Sequence, residues 1–220
     1  SELLFAPTIN ARKNLISEKV HGKTFVTGNT VIDAINKFVR ISPKKSKLSV
    51  ELDNYILMTL HRSENVDQET ILSSIIKGVI NSDQNIIFPV HPRTLKRLKE
   101  FNLYDKLKKS EKILLLDSIG YFEMLELMKN CSFIVTDSGG IQEEATSPKI
   151  KKKVLVVRKT TDRPEAVTAG MAKIIGVNKT TISHAIRQTA KNPEISSSSR
   201  NPYGNGNAAK KIIRLIQKNL

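Results

Sequence analysis

The chain has 220 residues, 39% of them apolar, which is enough for a packed core in one or two domains. Thirty-six Lys and Arg against 21 Asp and Glu leave a formal charge of +15, an attraction for anions, while a 26% charged fraction is ordinary for a globular chain and excludes wholesale disorder. A single cysteine, Cys131, excludes an internal disulfide framework and a Cys-rich zinc site, and no apolar run approaches the roughly 18–20 residues of a membrane span.

The opening run Leu3-Leu4-Phe5-Ala6 is apolar from the outset and reads as a strand already under way, with no signal peptide before it. A second short strand spans Thr24 to Thr27, and helical spacing follows from Thr30 to Val39. The basic, Pro-containing stretch Ser42-Pro43-Lys44-Lys45-Ser46-Lys47 is the expected linker. Strands then recur at Tyr55 to Leu60, Asn85 to Val90, Lys112 to Leu116, Phe133 to Thr136, Val154 to Val157 and Lys173 to Ile175. Most are continuous apolar runs rather than alternating ones, which suits strands of a parallel sheet covered on both faces. Between them, Gln68 to Ile80 is predicted to present Ile71, Ile75, Ile76, Val79 and Ile80 on one face. Tyr121 to Met128 is predicted to do the same with Tyr121, Met124, Leu125 and Met128. An irregular stretch over Asn192 to Asn207 precedes a last helix, Ala208 to Leu220, with Ile212, Ile213, Leu215 and Ile216 as its apolar side. Strand alternating with helix over most of the chain predicts an α/β fold with a doubly wound, Rossmann-like parallel sheet.

Chemistry concentrates at the ends of the predicted strands. His61-Arg62-Ser63-Glu64-Asn65 follows one strand and His91-Pro92-Arg93 the next. A lone His at a strand end is usually structural, but two His-plus-Arg pairs facing one sheet edge supply guanidinium forks for phosphate oxygens and imidazoles that exchange protons near neutrality. After the strand ending at Thr136 comes Asp137-Ser138-Gly139-Gly140, then Ile141-Gln142-Glu143-Glu144 at a helix start. Main-chain N–H groups at a glycine turn can hold a phosphate, and Glu144 can accept from sugar hydroxyls. The same residues also describe a tight turn capped by Ser138. In Arg158-Lys159-Thr160-Thr161-Asp162-Arg163-Pro164, Thr161 or Asp162 is the expected cap and Pro164 suits the first helical turn. Arg163 at a helix start is on the wrong end of the dipole unless an anion is there.

Taken together, LLFAPT (3–8), VTGNTVIDA (26–34), HRSEN (61–65), PVHPRT (89–94), GYFEMLELMKN (120–130), TDSGGIQEEA (136–145), RKTTDRPEAV (158–167) and NPYGNGNAAKKI (201–212) resemble the non-hydrolysing UDP-N-acetylglucosamine 2-epimerases, in the family's order and across essentially the whole chain. The resemblance implies the carboxy-terminal half of a glycosyltransferase-B-type fold. Residues 1–41 would be a remnant of the amino-terminal domain with the interdomain segment, 42–200 the UDP-binding domain, and 201–220 a helix packing back. It further implies that Ser138, Gly139 and Gly140 bind the diphosphate and Glu144 the ribose. Arg163 would belong to the nucleotide site, and His61, with Arg62 beside it, would face the sugar and diphosphate as the catalytic residue. Tyr121 and Met124 would lie in the segment against which uracil packs, with His91 and Arg93 on the same rim.

The expected reaction interconverts UDP-N-acetylglucosamine and UDP-N-acetylmannosamine by loss and re-addition of UDP, in the cytoplasm, for polysaccharide biosynthesis, with no cofactor and no metal. The expected partners are UDP-N-acetylglucosamine and UDP, a separately encoded amino-terminal half, and further copies of the complete enzyme; neither nucleic acid nor membrane is among them. The carboxylates that act at C2 belong to an amino-terminal domain absent from this sequence, so the chain alone is expected to be inactive. Thr146 to Lys153 is longer and more basic than the family's loop, and Asn205 replaces a frequent Asp. The alternatives are a non-catalytic UDP-sugar binding module and a UDP-sugar glycosyltransferase domain.

Overall fold

The computed structural model describes residues 1–41, 52–196 and 199–219. The expected linker at Ser42 to Lys47 lies outside them. The chain opens with β1 (Leu3–Ala6), α1 (Ile9–Ser17), β2 (Lys23–Val26) and α2 (Thr30–Phe38). β1 and β2 pair in parallel, Leu3 opposite Lys23 through Ala6 opposite Val26. Thr8 caps α1 by accepting from Ala11 N, yet α1 buries none of its residues.

From β3 (Ile56–Thr59) onward the chain builds a six-stranded parallel sheet with β4 (Ile86–Pro89), β5 (Ile113–Leu116), β6 (Ile134–Thr136), β7 (Val154–Val156) and β8 (Ala172–Ile174), in the order β5-β4-β3-β6-β7-β8. The helices between are α3 (Ser63–Val66), α4 (Glu69–Ile80), α5 (Pro92–Glu100), α6 (Tyr104–Lys108), α7 (Tyr121–Asn130), α8 (Gly139–Ala145), α9 (Pro164–Thr168) and α10 (Lys179–Lys191). A last helix, α11, spans Ala208–Asn219. Among the described residues no helix is long and apolar enough to cross a membrane.

Strand geometry explains the continuous apolar runs. Successive side chains point to opposite faces, and both faces are covered: Ile56, Met58, Ile86 and Phe88 enter one core, while Leu57, Ile87, Ile134 and Val156 enter the other. The first core is closed by Leu72, Ile75, Ile76 and Val79 of α4 with Ile182 and Ile186 of α10; the second by Ile32 and Ile35 of α2 with Leu125 and Met128 of α7. The edge strand β5 departs from this pattern, with Leu114 39% exposed; among the described residues no strand pairs with its outer side.

Two predicted helix faces are corrected. In α4 the buried face centres on Leu72, with Ile71 and Ile80 only half covered. α10 crosses closely at Gly78, where a Cβ would stand 2.8 Å from Lys179 O. In α7 the buried set is Leu125, Leu127 and Met128, while Tyr121 is 41% exposed and Met124 half-buried. α11 buries only Ala208; Ile212, Leu215 and Ile216 are half-covered and Ile213 is exposed.

The segment before α11 returns to α2. Tyr203, almost fully buried, accepts from Asn29 N through its carbonyl (2.8 Å), and Asn36 Nδ2 donates to Asn205 O (3.2 Å). Gly206 has φ +83, and a Cβ there would overlap Asn36 Nδ2, so only glycine fits. Asp33 of α2 accepts from the main-chain N–H groups of Ala208 and Ala209, both at 3.1 Å, and so caps α11 from a neighbouring helix.

Candidate active site

After β3 the chain winds outward through β4 to β5; β6, β7 and β8 then fill the other side. The order reverses between β3 and β6, and in an open parallel sheet the crevice beyond the strand carboxyl ends at that point is where ligands bind. β3 ends in Leu60-His61-Arg62 and β6 in Asp137-Ser138-Gly139, so two of the predicted motifs meet there.

A carboxylate joins them. Asp137 is fully buried and accepts from His61 N (3.1 and 3.2 Å to its two oxygens), Arg62 N (3.0 Å) and Asn65 Nδ2 (3.1 Å). His61 Nδ1 lies 3.4 Å from Asp137 Oδ1. Asn65 also donates to Val157 O (2.8 Å), tying α3 to the end of β7. One layer below, the hydroxyls of Thr59 and Thr136 bond at 2.6 Å.

The glycine turn carries the cap that the sequence allowed. Ser138 caps α8, its Oγ accepting from Ile141 N (3.4 Å), and Gln142 Nε2 donates to Ser138 O (3.2 Å). Yet Gly139 also faces two guanidiniums: a Cβ there would lie 3.6 Å from Arg62 Nη2 and 3.8 Å from Arg163 Cγ and Cζ. Arg62 Nε is buried without a hydrogen-bond partner. Arg163 Nε forms an ion pair with Glu143 but is out of line for a hydrogen bond.

Arg163 is itself the residue before α9, with no side-chain cap, correcting the expectation that Thr161 or Asp162 serves. Thr161 Oγ1 instead accepts from Arg163 N (3.1 Å) and donates to Gln142 Oε1 (2.7 Å). Asp162 receives Arg158 Nη1 (2.9 Å) and lies 3.5 Å from Arg62 Nη2, while Arg158, nearly buried, also reaches Glu64 (2.8 Å). Glu143 and Asp162 thus offset the unfavourable placing of a cation at a helix start.

His91 stacks obliquely on His61, ring centroids 5.7 Å apart, while its Nδ1 accepts from Arg93 N (3.2 Å) and caps α5. Burial holds the His61 imidazole below its ordinary value; His91 and Arg62 add to this against the opposing pull of Asp137. Arg93 does not join the cluster at Gly139: its guanidinium is forked on Asp67, which Arg97 shares. Burial, reinforced by the charge of Glu143, pushes Glu144 up to about 7. Tyr121, pushed up to about 12 by burial and then by the charge of Glu144, packs edge-on against Phe38, so Glu144 and Tyr121 share one wall.

The structure therefore gathers His61, Arg62, His91, Ser138, Gly139, Gly140 and Arg163 at one sheet edge, with Glu144, Tyr121 and Met124 on adjoining helices. The roles of Asp137, Asn65, Glu143 and Arg158 were not read from the sequence. Only the position of Asp137, a carboxylate directly after a fully buried strand, could have signalled its burial.

Across residues 1–217 the chain matches the sequence model of the family described as UDP-N-acetylglucosamine 2-epimerase. It is 41% identical to the UDP-N-acetylglucosamine 2-epimerase of Methanocaldococcus jannaschii over 98% of this chain and 61% of the relative. It is 37% identical to that of Escherichia coli over 98% and 60%. Its fold superposes on a crystal structure of the M. jannaschii enzyme in complex with UDP-GlcNAc and UDP, with a TM-score of 0.86 at 40% identity, covering 99% of this chain and 61% of that one. The corresponding values for the Neisseria meningitidis enzyme bound to UDP-GlcNAc are 0.83, 33%, 100% and 62%. A wall teichoic acid polymerase shares the fold alone, at 14% identity and a TM-score of 0.50. The chain thus spans about three fifths of the length of the relatives it matches.

Proposed function

The chain belongs to the UDP-N-acetylglucosamine 2-epimerase family, and from that premise we propose that it is the UDP-binding half of such an enzyme. The observation that carries this reading is Gly139 between two guanidiniums, one with a buried and unbonded Nε–H, at the point where the strand order reverses. A diphosphate there accepts from Arg62, Arg163 and the main-chain N–H groups of Gly139 and Gly140, the Ser138 N–H being held by Thr136 Oγ1 (2.9 Å). The Glu144 carboxylate accepts from the ribose hydroxyls, Tyr121 and Met124 flank the base, and His61 faces the sugar with His91 behind it.

In the reaction, C2 of the sugar loses its proton, the C1–O bond breaks with its electrons going to UDP, and a 2-acetamidoglucal results. UDP then adds back with C2 reprotonated on the other face. The charge that grows on the departing diphosphate is met by donors already held in place, which is how such a site lowers a barrier. The groups that move the C2 proton lie in a part of the relatives that this chain does not span, on the same polypeptide or a separately encoded one. The complete enzyme acts in the cytoplasm and assembles from several copies.

Calorimetric titration of the chain with UDP tests the reading. Micromolar-to-millimolar binding is expected, weakened by Arg163→Ala or Arg62→Ala by about tenfold or more, the worth of a charge-assisted hydrogen bond. Arg93→Ala is expected to change it little, since Arg93 is engaged by Asp67. The chain alone is expected to form no UDP-N-acetylmannosamine, and a relative's amino-terminal half supplied in trans is expected to restore turnover. Absence of UDP binding overturns the reading.

A further inference from the structure

The carboxylate of Asp137 has no part in the scheme above, yet it is the most heavily bonded side chain of the site. Burying an ionised carboxylate is costly unless its oxygens are met by donors. Here the donors are His61 N, Arg62 N and Asn65 Nδ2, with His61 Nδ1 at 3.4 Å. Three of these four groups belong to the two residues that face the nucleotide-sugar. Asp137 also immediately precedes the Ser138 turn, so one side chain holds the ends of β3 and β6 in fixed relation.

We propose that Asp137 is the positioning residue of this site: it clamps the His61–Arg62 turn against the Ser138–Gly140 turn and fixes the His61 ring with Nδ1 toward itself, so that Nε2 is presented to the nucleotide-sugar. This rests on the UDP-binding reading, but its electrostatics do not depend on UDP. His61 Nδ1 lies 3.4 Å from Asp137 Oδ1 without the alignment of a hydrogen bond, and at that distance the carboxylate charge favours a proton over a lone pair on the near nitrogen of a neutral imidazole. The Nδ1–H tautomer follows, with the Nε2 lone pair free to accept.

Nitrogen-15 spectra of the wild-type chain, with the four histidines assigned by substitution, read the tautomer directly and need no variant at Asp137. The Nδ1–H form is expected at His61; an Nε2–H form overturns the proposal. In Asp137→Asn, an amide of the same shape sets its NH2 against main-chain donors. There the tautomer preference is expected to disappear and UDP affinity to fall about tenfold or more, as for a lost hydrogen bond to a charged group. A lower melting temperature with tautomer and affinity unchanged makes Asp137 merely structural and overturns the proposal as well. If the wild-type chain fails to bind UDP, the nucleotide reading falls, while the tautomer still decides what Asp137 does to His61.

Discussion

Gly139 separates binding from stability. Its φ is not in the left-handed region, and a Cβ would meet Arg62 and Arg163 only at ordinary contact distance. Gly139→Ala is therefore expected to leave the melting temperature unchanged or slightly higher, since alanine is preferred over glycine by about 1 kcal/mol in a helix interior and by less at this first helical position. The added methyl occupies the space between the guanidiniums, so UDP affinity is expected to fall at least about tenfold, the cost of shifting a charge-assisted hydrogen bond. Parallel melting and titration check both halves. Glu144 gives a pH signature. Its value in the fold, about 7, is above the ordinary carboxylate value. Between the two the folded state binds more protons than the unfolded state, so this group's stabilisation is full at acid pH and is lost as pH rises through 7. In the proposed nucleotide site Glu144 accepts from the ribose hydroxyls in its ionised form, so UDP affinity is expected to rise over the same interval. Glu144→Gln should flatten both profiles relative to wild type; equal slopes in variant and wild type would refute the assignment.

At the scale of elements, the strands were legible because burial on both faces writes itself as an unbroken apolar run. Their observed bounds differ from the expected ones by at most one residue at each end, as at β8, Ala172–Ile174 against Lys173 to Ile175. Helix faces were less legible. Leu72 and Ile71 are both large and apolar, and which one is buried depends on how the helix is rotated against the sheet and α10, which the sequence does not state. The cap of α11 was not legible at all, since Asp33 stands 175 residues from Ala208. Asp33→Ala leaves two main-chain donors unmet and is expected to cost about 1–2 kcal/mol, the range of a lost N-cap. The expected signature is faster hydrogen exchange confined to α11 and its contact with α2. Uniform exchange across the molecule would show that α11 does not depend on this cap.

For the whole molecule, the six-stranded sheet and the β1–β2 pair differ in kind. The first has its central strands buried on both faces. The second has two strands, neither of them fully buried, beside α1, and leaves Ile9, Ile16, Val20 and Val26 exposed. A lone two-stranded pair is marginal, and unpaired edges recruit other strands. The chain by itself is expected to self-associate as concentration rises, with β1 and β2 the least protected amides; a monodisperse monomer by light scattering at high concentration would contradict this. The sequence by itself determined the alternation of elements, the apolar strands and the family, because those properties are local and repeat at fixed spacing. The tertiary structure alone decided that β3 lies beside β6, that Arg62 and Arg163 converge on Gly139 while Arg93 turns to Asp67, and that Asp137 joins two turns 75 residues apart. Those are facts about which distant segments share a neighbourhood, and the charge of a residue does not say which opposite charge it will meet.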